Sequence, residues 1–498
     1  MESLGILYGI VAVILALYYY FTSTFGFWKS RGIHGPQPIP LFGNVKDVMF
    51  ARKAMCNYLM EICNVYKDEP MIGIFVRRTP VLIVKDPDLI KDILIKDFSN
   101  FPERGFTTHE RADPLSQHLV ALEEKRWRPL RTKLSPVFTS GKLREMFLLI
   151  LKCSEHLERY VEKLVSRSEI IECCALTAKY TTDVISSCAF GIDTNSLSDV
   201  ESEFLKMGRE VFDPKWYNLI RLKIKQNAPQ LFDILGYVLP QTKVTKFFTR
   251  IIMENIEYRE RNNIIRHDFV DVLRELKRHP DKIDIELTDS VIASQAFIFF
   301  LAGFESSSSA MTHALYELAQ NHKIQDTLRE EIEQECAKDE DVLTYDNVKK
   351  MNYLDKVLRE TLRKYPPATF LMRQSTSSYT FDSVKTNIPK GQPVWIPVYA
   401  IQRDPNIYPN PDIFDPERFK GEVMQNRNTM YYLPFGSGPR NCIGSRFAAY
   451  QIKVGLVKIL RKYSIEICEK TQLPYANDPK AFLLTPMGGI YLKIRKIN

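Results

Sequence analysis

The sequence predicts a mainly α-helical domain with a minor β-sheet region, preceded by one membrane-spanning helix. Three observations lead to this fold class: most of the chain carries apolar residues at helical spacing, one segment alternates as a strand does, and the amino terminus holds a long uncharged run. The 498 residues contain no internal repeat and no Gly/Ser-rich linker. We therefore expect one large folded unit after the membrane helix.

The membrane helix is the run Leu4–Phe21, eighteen residues without a charge. That length is about what a helix needs to cross a bilayer. A cleaved signal peptide would start with basic residues, whereas here Glu2 precedes the run and Lys29 and Arg31 follow it. Because basic flanks remain in the cytosol, residues 1–28 are predicted to be a single-pass anchor whose attached domain faces the cytosol.

Residues 29–45 are predicted to form a proline-rich hinge, and residues 46–498 the main domain. Three prolines between Gly35 and Asn44 favour extended backbone and exclude helix. We expect a stiff spacer that holds the domain at a fixed tilt to the membrane, although an ordinary connecting loop would use prolines in the same way.

Within the main domain, Met71–Pro87 alternates on either side of an Arg-Arg-Thr-Pro turn and is predicted to be a hairpin. The other elements have helical periodicity. The predicted helices are Lys142–Val165, Leu176–Ser187, Val244–Arg266, Thr288–Gln320, Ile324–Cys336, Met351–Lys364 and Ser445–Tyr463. No GxGxxG or Walker sequence is present, which argues against a dinucleotide or triphosphate site.

The predicted helix Thr288–Gln320 contains Ala296–Phe304, which is apolar on every side and therefore predicts a buried helix. Glu305 and the serines Ser306–Ser309 follow directly. Serine hydroxyls can bond to carbonyl groups one turn back. Two interpretations are open: a functional polar site at the end of an apolar tunnel, or a solvated turn beyond a core segment.

The net charge of +8 is spread along the chain, which favours an anionic membrane surface or an acidic protein partner over nucleic acid. The nine cysteines show no CxxC pair and no regular spacing, so we expect neither a disulfide framework nor a structural zinc site. Eight of them are interpreted as reduced core residues. Cys442 differs because it lies in the glycine-rich stretch FGSGPRNCIG, just ahead of a predicted helix.

Three uses of Cys442 are open: nucleophile, redox thiol or metal ligand. A nucleophile needs a histidine base, for which the sequence gives no partner motif, although pairing in space is not ruled out. A redox thiol needs a resolving cysteine, and the nearest, Cys468, lies far downstream. A ligand to one iron needs neither, and glycines at 436, 438 and 444 would let backbone approach a flat macrocycle.

The pattern Phe435-x-x-Gly438-x-Arg440-x-Cys442-x-Gly444 is similar, position for position, to the haem-binding loop of the cytochrome P450 superfamily, the haem-thiolate monooxygenases. Other elements resemble that family in the same order, so the resemblance covers essentially the whole chain. They are Trp127 and Arg131 (WxxxR), Ala302–Ser306 (oxygen-binding groove), Glu360 and Arg363 (ExxR), Arg373, and Pro416–Phe419 with Arg418 (PERF).

The resemblance implies a cytochrome P450 fold and haem b with the Cys442 thiolate as iron ligand. It assigns the other cofactor-binding roles to Trp127, Arg131, Arg373, Phe435 and Arg440. It assigns proton delivery to iron-bound O2 to Glu305 and Ser306. It also implies a buried network of Glu360, Arg363 and Arg418 beneath the haem; from the residues alone, the first two would be an ordinary surface pair.

Two positions depart from the family pattern. Ser306 stands where threonine is usual, so the hydroxyl persists without the methyl group that fixes its rotamer, and coupling of electrons to product is expected to suffer. Gln402-Arg403 replaces a residue pair in which histidine is common; we interpret this as a surface turn.

The fullest resemblance is to insect microsomal members that oxidise plant toxins, insecticides and lipids. It implies a membrane-bound enzyme of the endoplasmic reticulum that inserts one oxygen atom of O2 into small lipophilic substrates. Residues expected to line the substrate space, by analogy, are Phe106, Leu115, Phe299, Ala302, Phe370 and Leu484, although core packing would explain each of them as well.

Electrons must come from a partner, since the chain has no flavin or nicotinamide motif. The resemblance implies an NADPH-dependent reductase, with cytochrome b5 as a second donor. The basic cluster Lys125, Arg126, Arg128 and Lys133 is a candidate docking face, or simply a solvated helix face. Two rival functions are a haem-containing carrier or sensor without turnover and an isomerase that needs no outside electrons.

Overall fold

The computed structural model describes residues 2–212, 220–221, 224–225, 228–238, 242–266, 268–279, 286–338 and 340–497. Over these residues the chain forms the mainly helical fold that the sequence predicts, with small sheets at its periphery. The α-helices are α1 (Glu2–Thr22), α2 (Lys46–Met49), α3 (Met55–Val65), α4 (Pro87–Lys91), α5 (Glu124–Leu134), α6 (Ser140–Ser166), α7 (Cys173–Ile185), α8 (Glu203–Phe212), α9 (Pro229–Leu235), α10 (Lys243–Arg261), α11 (Phe269–Arg278), α12 (Asp289–Gln320), α13 (His322–Ala337), α14 (Tyr345–Lys350), α15 (Asn352–Lys364), α16 (Val398–Ile401), α17 (Gly421–Gln425) and α18 (Ser445–Leu460).

The strands form one larger and two smaller sheets in the described part of the chain. They are β1 (Met71–Val76), β2 (Thr79–Val84), β3 (Ile171–Glu172), β4 (Leu371–Gln374), β5 (Tyr379–Phe381), β6 (Thr386–Ile388), β7 (Pro393–Ile396), β8 (Tyr463–Ile467) and β9 (Tyr491–Lys496). The four-stranded sheet has the order β1-β2-β7-β4, with only the β2–β7 pair parallel. The others have the orders β3-β9-β8 and β5-β6.

Helix α12 crosses the core, and its position fixes the candidate site. Thr288 caps its amino terminus, since its hydroxyl accepts the backbone N–H of Val291, and the helix continues without a break from Asp289 to Gln320. Ser308 is buried and hydrogen-bonds through its hydroxyl to Thr177 of α7 at 2.8 Å. The interpretation of the serines as a solvated turn is therefore wrong, because all four lie within the continuous helix and Ser308 packs against α7.

The expectation that Ala296–Phe304 is buried on every side needs one correction. Phe300 and Phe304 are buried in the core, but Ala302 is exposed. Ala302, Ser306 and Ser309 follow one another at helical spacing and so share one face of α12. This face, unlike the phenylalanine face, is left open by the neighbouring elements.

The periodic segments are confirmed as helices, with two overruns. The segment predicted as Val244–Arg266 leaves the helix after Arg261, where Asn263 adopts a positive φ of 52° that ends helical structure. The last helix ends at Leu460, and Tyr463 starts strand β8. Helices α3 and α5 and the short strands outside the hairpin were not predicted, because each is too short for its periodicity to stand out.

The predicted anchor and hinge have distinct surroundings. Helix α1 is exposed along its length from Leu4 to Tyr20 and is apolar enough to span a membrane. The hinge segment runs alongside β1. The carbonyl of His34 accepts the N–H of Gly73 at 2.8 Å, and Gly43 forms a bridge with Val76. The segment is therefore fastened to β1 near both of its ends.

Candidate active site

The loop Phe435–Gly444 presents Cys442 immediately before α18. It closes on itself through the Cys442 N–H, which donates to the carbonyl of Phe435 at 2.9 Å. Gly436 and Gly438 have φ values of 68° and 73°, a region that other residues enter at a cost. At Gly438 a Cβ atom would also lie 1.8 Å from the carbonyl oxygen of Leu94, so glycine is required there by both conformation and space.

Cys442 is the one cysteine with an exposed side chain; the other eight are buried or partly buried. Desolvation nevertheless raises the pKa of its thiol, opposed by the Gly444 N–H and by the positive charges of Arg131 and Arg104. Accessible surface together with strong desolvation places the sulfur in a recess within the protein. A thiol in this setting is ready to ligate a metal cation, which favours the thiolate outright.

Arginine side chains surround this recess with little counter-charge. Arg440 donates to the carbonyls of Pro102 and Leu122 at 2.9 and 2.8 Å, and its guanidinium lies 4.0 Å over the ring of Trp127. The closest carboxylate, that of Glu103, is 4.0 Å away. Burial, and next to it the charge of Arg104, lowers the pKa of Arg440 to about 9.

Arg373 and Arg131 complete the predicted arginine set. Arg373 is 3% exposed, donates to the carbonyl of Met372, and has a buried Nε–H without a protein partner. Burial, and then the charges of Arg104 and Arg440, lowers its pKa to about 9. Arg131 donates to the side chain of Asn441, next to the cysteine, at 2.9 Å. The site is therefore built for a group that carries several negative charges.

Arg104 belongs to this cluster, and sequence reasoning missed it. It donates to the carbonyl of Arg440 at 2.9 Å, across a separation of 336 residues. Burial lowers its pKa to about 10, against the favourable charge of Cys442. No local pattern in the sequence distinguishes Arg104 from other arginines, because the contact is made only when the chain is folded.

On the open face of α12, the hydroxyl of Ser306 donates to the carbonyl of Ala302 at 2.6 Å. This bond to the preceding turn loosens the helix locally, as serine often does. Glu305 lies beside it, and desolvation raises the pKa of its carboxyl against the charge of Arg209. The pair thus combines a carboxyl group whose pKa is raised by burial with a hydroxyl group that donates to the Ala302 carbonyl.

Glu360 and Arg363 of α15 form a fully buried ion pair. Both Arg363 Nε and Nη2 donate to the carboxylate of Glu360, at 2.7 and 2.8 Å, and both side chains are 0% exposed. Arg418 approaches the same carboxylate at 3.5 Å, an ion-pair distance without a hydrogen bond. From the sequence alone the two residues would be interpreted as a surface pair. That interpretation is wrong, because α15 is covered on both sides.

Gln402 corrects the interpretation of Gln402-Arg403 as a surface turn. Gln402 is 0% exposed. Its amide donates to the carbonyls of Leu362 and Arg363 at 3.0 and 2.9 Å, and its oxygen accepts the N–H of Leu433. Gln402 therefore joins the end of α15 to the segment that leads into the cysteine loop. The sequence gave no signal of this burial, because a glutamine in an apolar stretch is equally compatible with an exposed turn.

The residues expected to line a substrate space do not all come together. Ala302 lies on the open face of α12, and the Leu484 carbonyl accepts the hydroxyl of Ser309 on the same face at 2.9 Å. Leu115 is buried in the core. Phe299 stacks on Phe269 at 3.7 Å between ring centroids, which favours packing over substrate contact.

Phe106 and Phe370 lie elsewhere. Phe106 is 41% exposed, and the ring of Phe370 packs 5.1 Å from Trp395 beside the four-stranded sheet. None of the hydrogen bonds or ring contacts among the described residues links either ring to α12. Their assignment as substrate contacts has no support from these contacts.

A helical fold of this order, with a long central helix and a single accessible cysteine on a glycine-rich loop, defines the cytochrome P450 class of proteins. The sequence matches the profile of the Cytochrome P450 family over residues 33–493. The chain belongs to this family, and it is a monooxygenase.

Relatives of nearly equal length come from insects. The chain is 42% identical to Cytochrome P450 6A1 of Musca domestica, with 98% of this chain and 97% of that protein covered. It is 38% identical to Cytochrome P450 6a2 of Drosophila melanogaster over 99% of both, and 37% identical to Cytochrome P450 6j1 of Blattella germanica over 98% and 97%. The expected resemblance to insect members is confirmed.

The family implies a haem with a cysteine thiolate ligand, and the residues present fit that group. Haem carries two carboxylates, which are costly to bury without cations. The arginine cluster supplies buried donors, including the unpaired Nε–H of Arg373, and Cys442 supplies an accessible sulfur. One recess therefore offers both groups that haem needs: cations for its carboxylates and a sulfur for its iron.

Proposed function

We propose that this protein is a membrane-bound haem-thiolate monooxygenase that inserts one oxygen atom of O2 into small lipophilic substrates, with electrons from an NADPH-dependent reductase. In this proposal Cys442 is the iron ligand. The observation that carries it is the accessibility of that one sulfur among nine cysteines, on a loop that needs glycine for both φ and space. When bound, haem supplies the oxygen-activating chemistry, and a thiolate ligand favours O–O cleavage.

The polypeptide holds the cofactor by its carboxylates. Trp127, Arg131, Arg373 and Arg440, with Arg104 added from the structure, would neutralise the two propionates, and Phe435 would lie beside the ring. Burial first and the charges of neighbouring arginines second lower the pKa values of Arg373 and Arg440. Two bound carboxylates would offset both effects, which supports this role. The Glu360–Arg363–Arg418 network would fix the floor beneath the loop.

Glu305 and Ser306 would deliver protons to the oxygen side of the site. The Ser306 hydroxyl donates to the Ala302 carbonyl, which leaves its oxygen lone pairs to accept a hydrogen bond from water. Burial raises the pKa of Glu305 above that of a free carboxyl, which suits a group that takes up a proton and passes it on. Ala302, on the open face, is our candidate for substrate contact. Leu484 meets that face only through its backbone carbonyl and is buried like Leu115, so both are less supported, as are Phe106, Phe299 and Phe370.

The ligand assignment is tested by the visible spectrum of the reduced, carbon-monoxide-bound protein. Wild type should give the red-shifted band of a thiolate ligand, and Cys442→Ser should lose it. Cys468→Ser, a partly buried cysteine with a hydroxyl-bonded sulfur, is the matched control and should keep it. Identical spectra for wild type and Cys442→Ser would exclude sulfur as the ligand.

We propose that residues 1–28 anchor the enzyme in the endoplasmic reticulum membrane as a single pass, that residues 29–45 are the hinge, and that residues 46–498, the haem-binding domain, face the cytosol. The exposed apolar surface of α1 supports the anchor. Alkali extraction of microsomes should leave the full-length protein in the pellet. Release into the supernatant would contradict the anchor.

The reductase would dock on the exposed cations of α5, and cytochrome b5 is the second candidate donor. Lys125, Arg128 and Lys133 are exposed, whereas Arg126 donates to Gln117 at 2.9 Å and faces inward. Lys125→Glu with Arg128→Glu should slow turnover driven by NADPH and reductase while sparing turnover driven by peroxide. Equal loss in both assays would remove this docking face.

The same assay separates the rival functions. Product that appears only with reductase and NADPH supports the monooxygenase. A carrier or sensor would give no product under either condition, and an isomerase would turn over without reductase.

A further inference from the structure

The chain that follows α1 docks firmly on the hairpin β1–β2. Trp28 is 3% exposed, and its indole N–H donates to the carbonyl of Ile74 at 2.9 Å. A Cβ atom on Gly73 would lie 2.3 Å from the indole ring, so the glycine makes room for Trp28. The hydroxyl of Thr24 donates to the carbonyl of Arg78 in the hairpin turn at 2.8 Å. The end of α1 is therefore held against the catalytic domain.

A second hairpin joins the same cluster. The rings of Phe25 and Phe75 are 5.2 Å apart, and Phe27 packs edge-on against Trp28 at 4.8 Å, while Ser30 and Arg31 line one recess together with Lys385, which lies between β5 and β6. The turn of each hairpin thus lies beside the point where α1 ends. Any cation on these turns is near the membrane surface if α1 spans the bilayer.

Five cations occupy this place, and we name them the anchor collar. Its members are Lys29, Arg31, Arg77, Arg78 and Lys385. Among the described residues none of them forms an ion pair with a carboxylate. Other basic residues of the described chain commonly have such a partner, as Lys53 has in Glu61. The collar is therefore a concentration of uncompensated positive charge.

Two details fix the collar at the boundary between hydrocarbon and headgroups. The Arg78 guanidinium lies 3.6 Å over the ring of Tyr20, in the last turns of α1, and donates to the Ser23 hydroxyl at 3.3 Å. Tyrosine rings are typical of that boundary. Beside it, a polar recess of about 460 Å³ opens at the surface. Its lining residues are Ser30, Arg31, Lys385, Thr386 and Asn387.

We propose that the anchor collar binds the phosphate groups of anionic phospholipids, with the Arg31–Lys385 recess as the place where one headgroup is seated. Two cations, hydroxyl groups and an amide are the donors that a phosphodiester and its polar substituent accept. The inference rests on the proposed membrane anchoring. It adds a lipid class and a surface that the domain presents at a defined place, because Trp28 ties the collar to α1.

The test uses the full-length holoenzyme in nanodiscs of phosphatidylcholine alone and of phosphatidylcholine with phosphatidylserine at about 4:1. Amide hydrogen exchange is followed in peptides that contain Arg77 and Lys385. We expect exchange there to be slower by about fivefold in the anionic discs, because opening these turns for exchange would break the lipid contact of one cation, which contributes about 1 kcal/mol. Inorganic phosphate added to neutral discs should not reproduce the protection.

Arg31→Gln with Arg77→Gln and Lys385→Gln should abolish the difference between the two lipids. The matched control changes three exposed lysines outside the collar to glutamine, namely Lys323, Lys349 and Lys350, and should keep it. Equal exchange in both lipids, protection by inorganic phosphate alone, or loss in the control would overturn the inference. A protein that leaves the discs altogether would instead contradict the anchor, and the carbon-monoxide spectrum of each sample reports separately on the haem site.

Discussion

Removal of the Arg363 side chain should be among the most damaging single changes in this protein. Arg363→Ala would leave the Glu360 carboxylate buried with the backbone N–H of Asp415 and the more distant Arg418 as partners. Breaking a buried pair in this way costs about 3–5 kcal/mol. The carbonyl oxygens of Gln402 and Pro411 would also lose their donors, at about 1 kcal/mol each.

The sum, about 5–7 kcal/mol, is of the same size as the whole free energy of unfolding of a typical domain, about 5–15 kcal/mol. We therefore expect Arg363→Ala to accumulate little haem-loaded protein. Arg363→Lys keeps the charge but not the planar fork, and should lose about 2 kcal/mol. Urea unfolding followed by circular dichroism, together with the haem content of each preparation, measures both effects.

Arg359 is the matched control, one turn earlier on α15. Its ion pair with Asp355 is more than a third exposed on both sides, so Arg359→Ala should change stability by about 1 kcal/mol or less. If Arg363→Ala unfolds at the same urea concentration as Arg359→Ala, the buried pair contributes no more to stability than the exposed one.

Three further outcomes are expected. Gly438→Ala should prevent haem loading, because its Cβ would collide with the Leu94 carbonyl, whereas Gly436→Ala, which has room, should cost only about 1–2 kcal/mol; equal haem content in the two would contradict the steric argument. Ser306→Ala should raise the fraction of electrons released as peroxide and Ser306→Thr should not, as measured by the ratio of peroxide to NADPH consumed; no change in Ser306→Ala would remove the hydroxyl from proton delivery. Burial lowers the pKa of His313 to about 4, so the unfolded state binds more protons than the folded state below about pH 6.5. The free energy of unfolding should therefore fall by about 2 kcal/mol between pH 6.5 and 5. His313→Gln should flatten that part of the stability profile, and an unchanged slope in this variant would refute the role of His313.

The helical body and the cysteine loop could be predicted from the sequence, because both depend on local patterns. Helix α12 starts one residue from its predicted position, since long periodic segments give an unambiguous signal. The glycines of the loop mark backbone conformations that other residues avoid, and Gly436 and Gly438 do have positive φ.

Contacts between distant segments could not be predicted in this way. Arg104 meets Arg440, and Gln402 meets Leu433, only because the chain brings loops together over a packed core. A polar residue gives the same letter whether it is solvated or buried with partners. The substrate contacts fail for a related reason: analogy to other members suggests Phe299, while its ring is already stacked on Phe269.

The seating of Trp28 on Gly73 also decides where the polypeptide can be shortened for crystallisation. A version that starts at Ser23 would lose the apolar span and keep the indole, the Thr24 hydroxyl and Phe25 in place. A version that starts beyond residue 28 would strip the cover from an edge of the sheet and leave apolar strand surface to associate with other copies. The six residues from 23 to 28 therefore separate a start that keeps this apolar strand surface covered from one that exposes it.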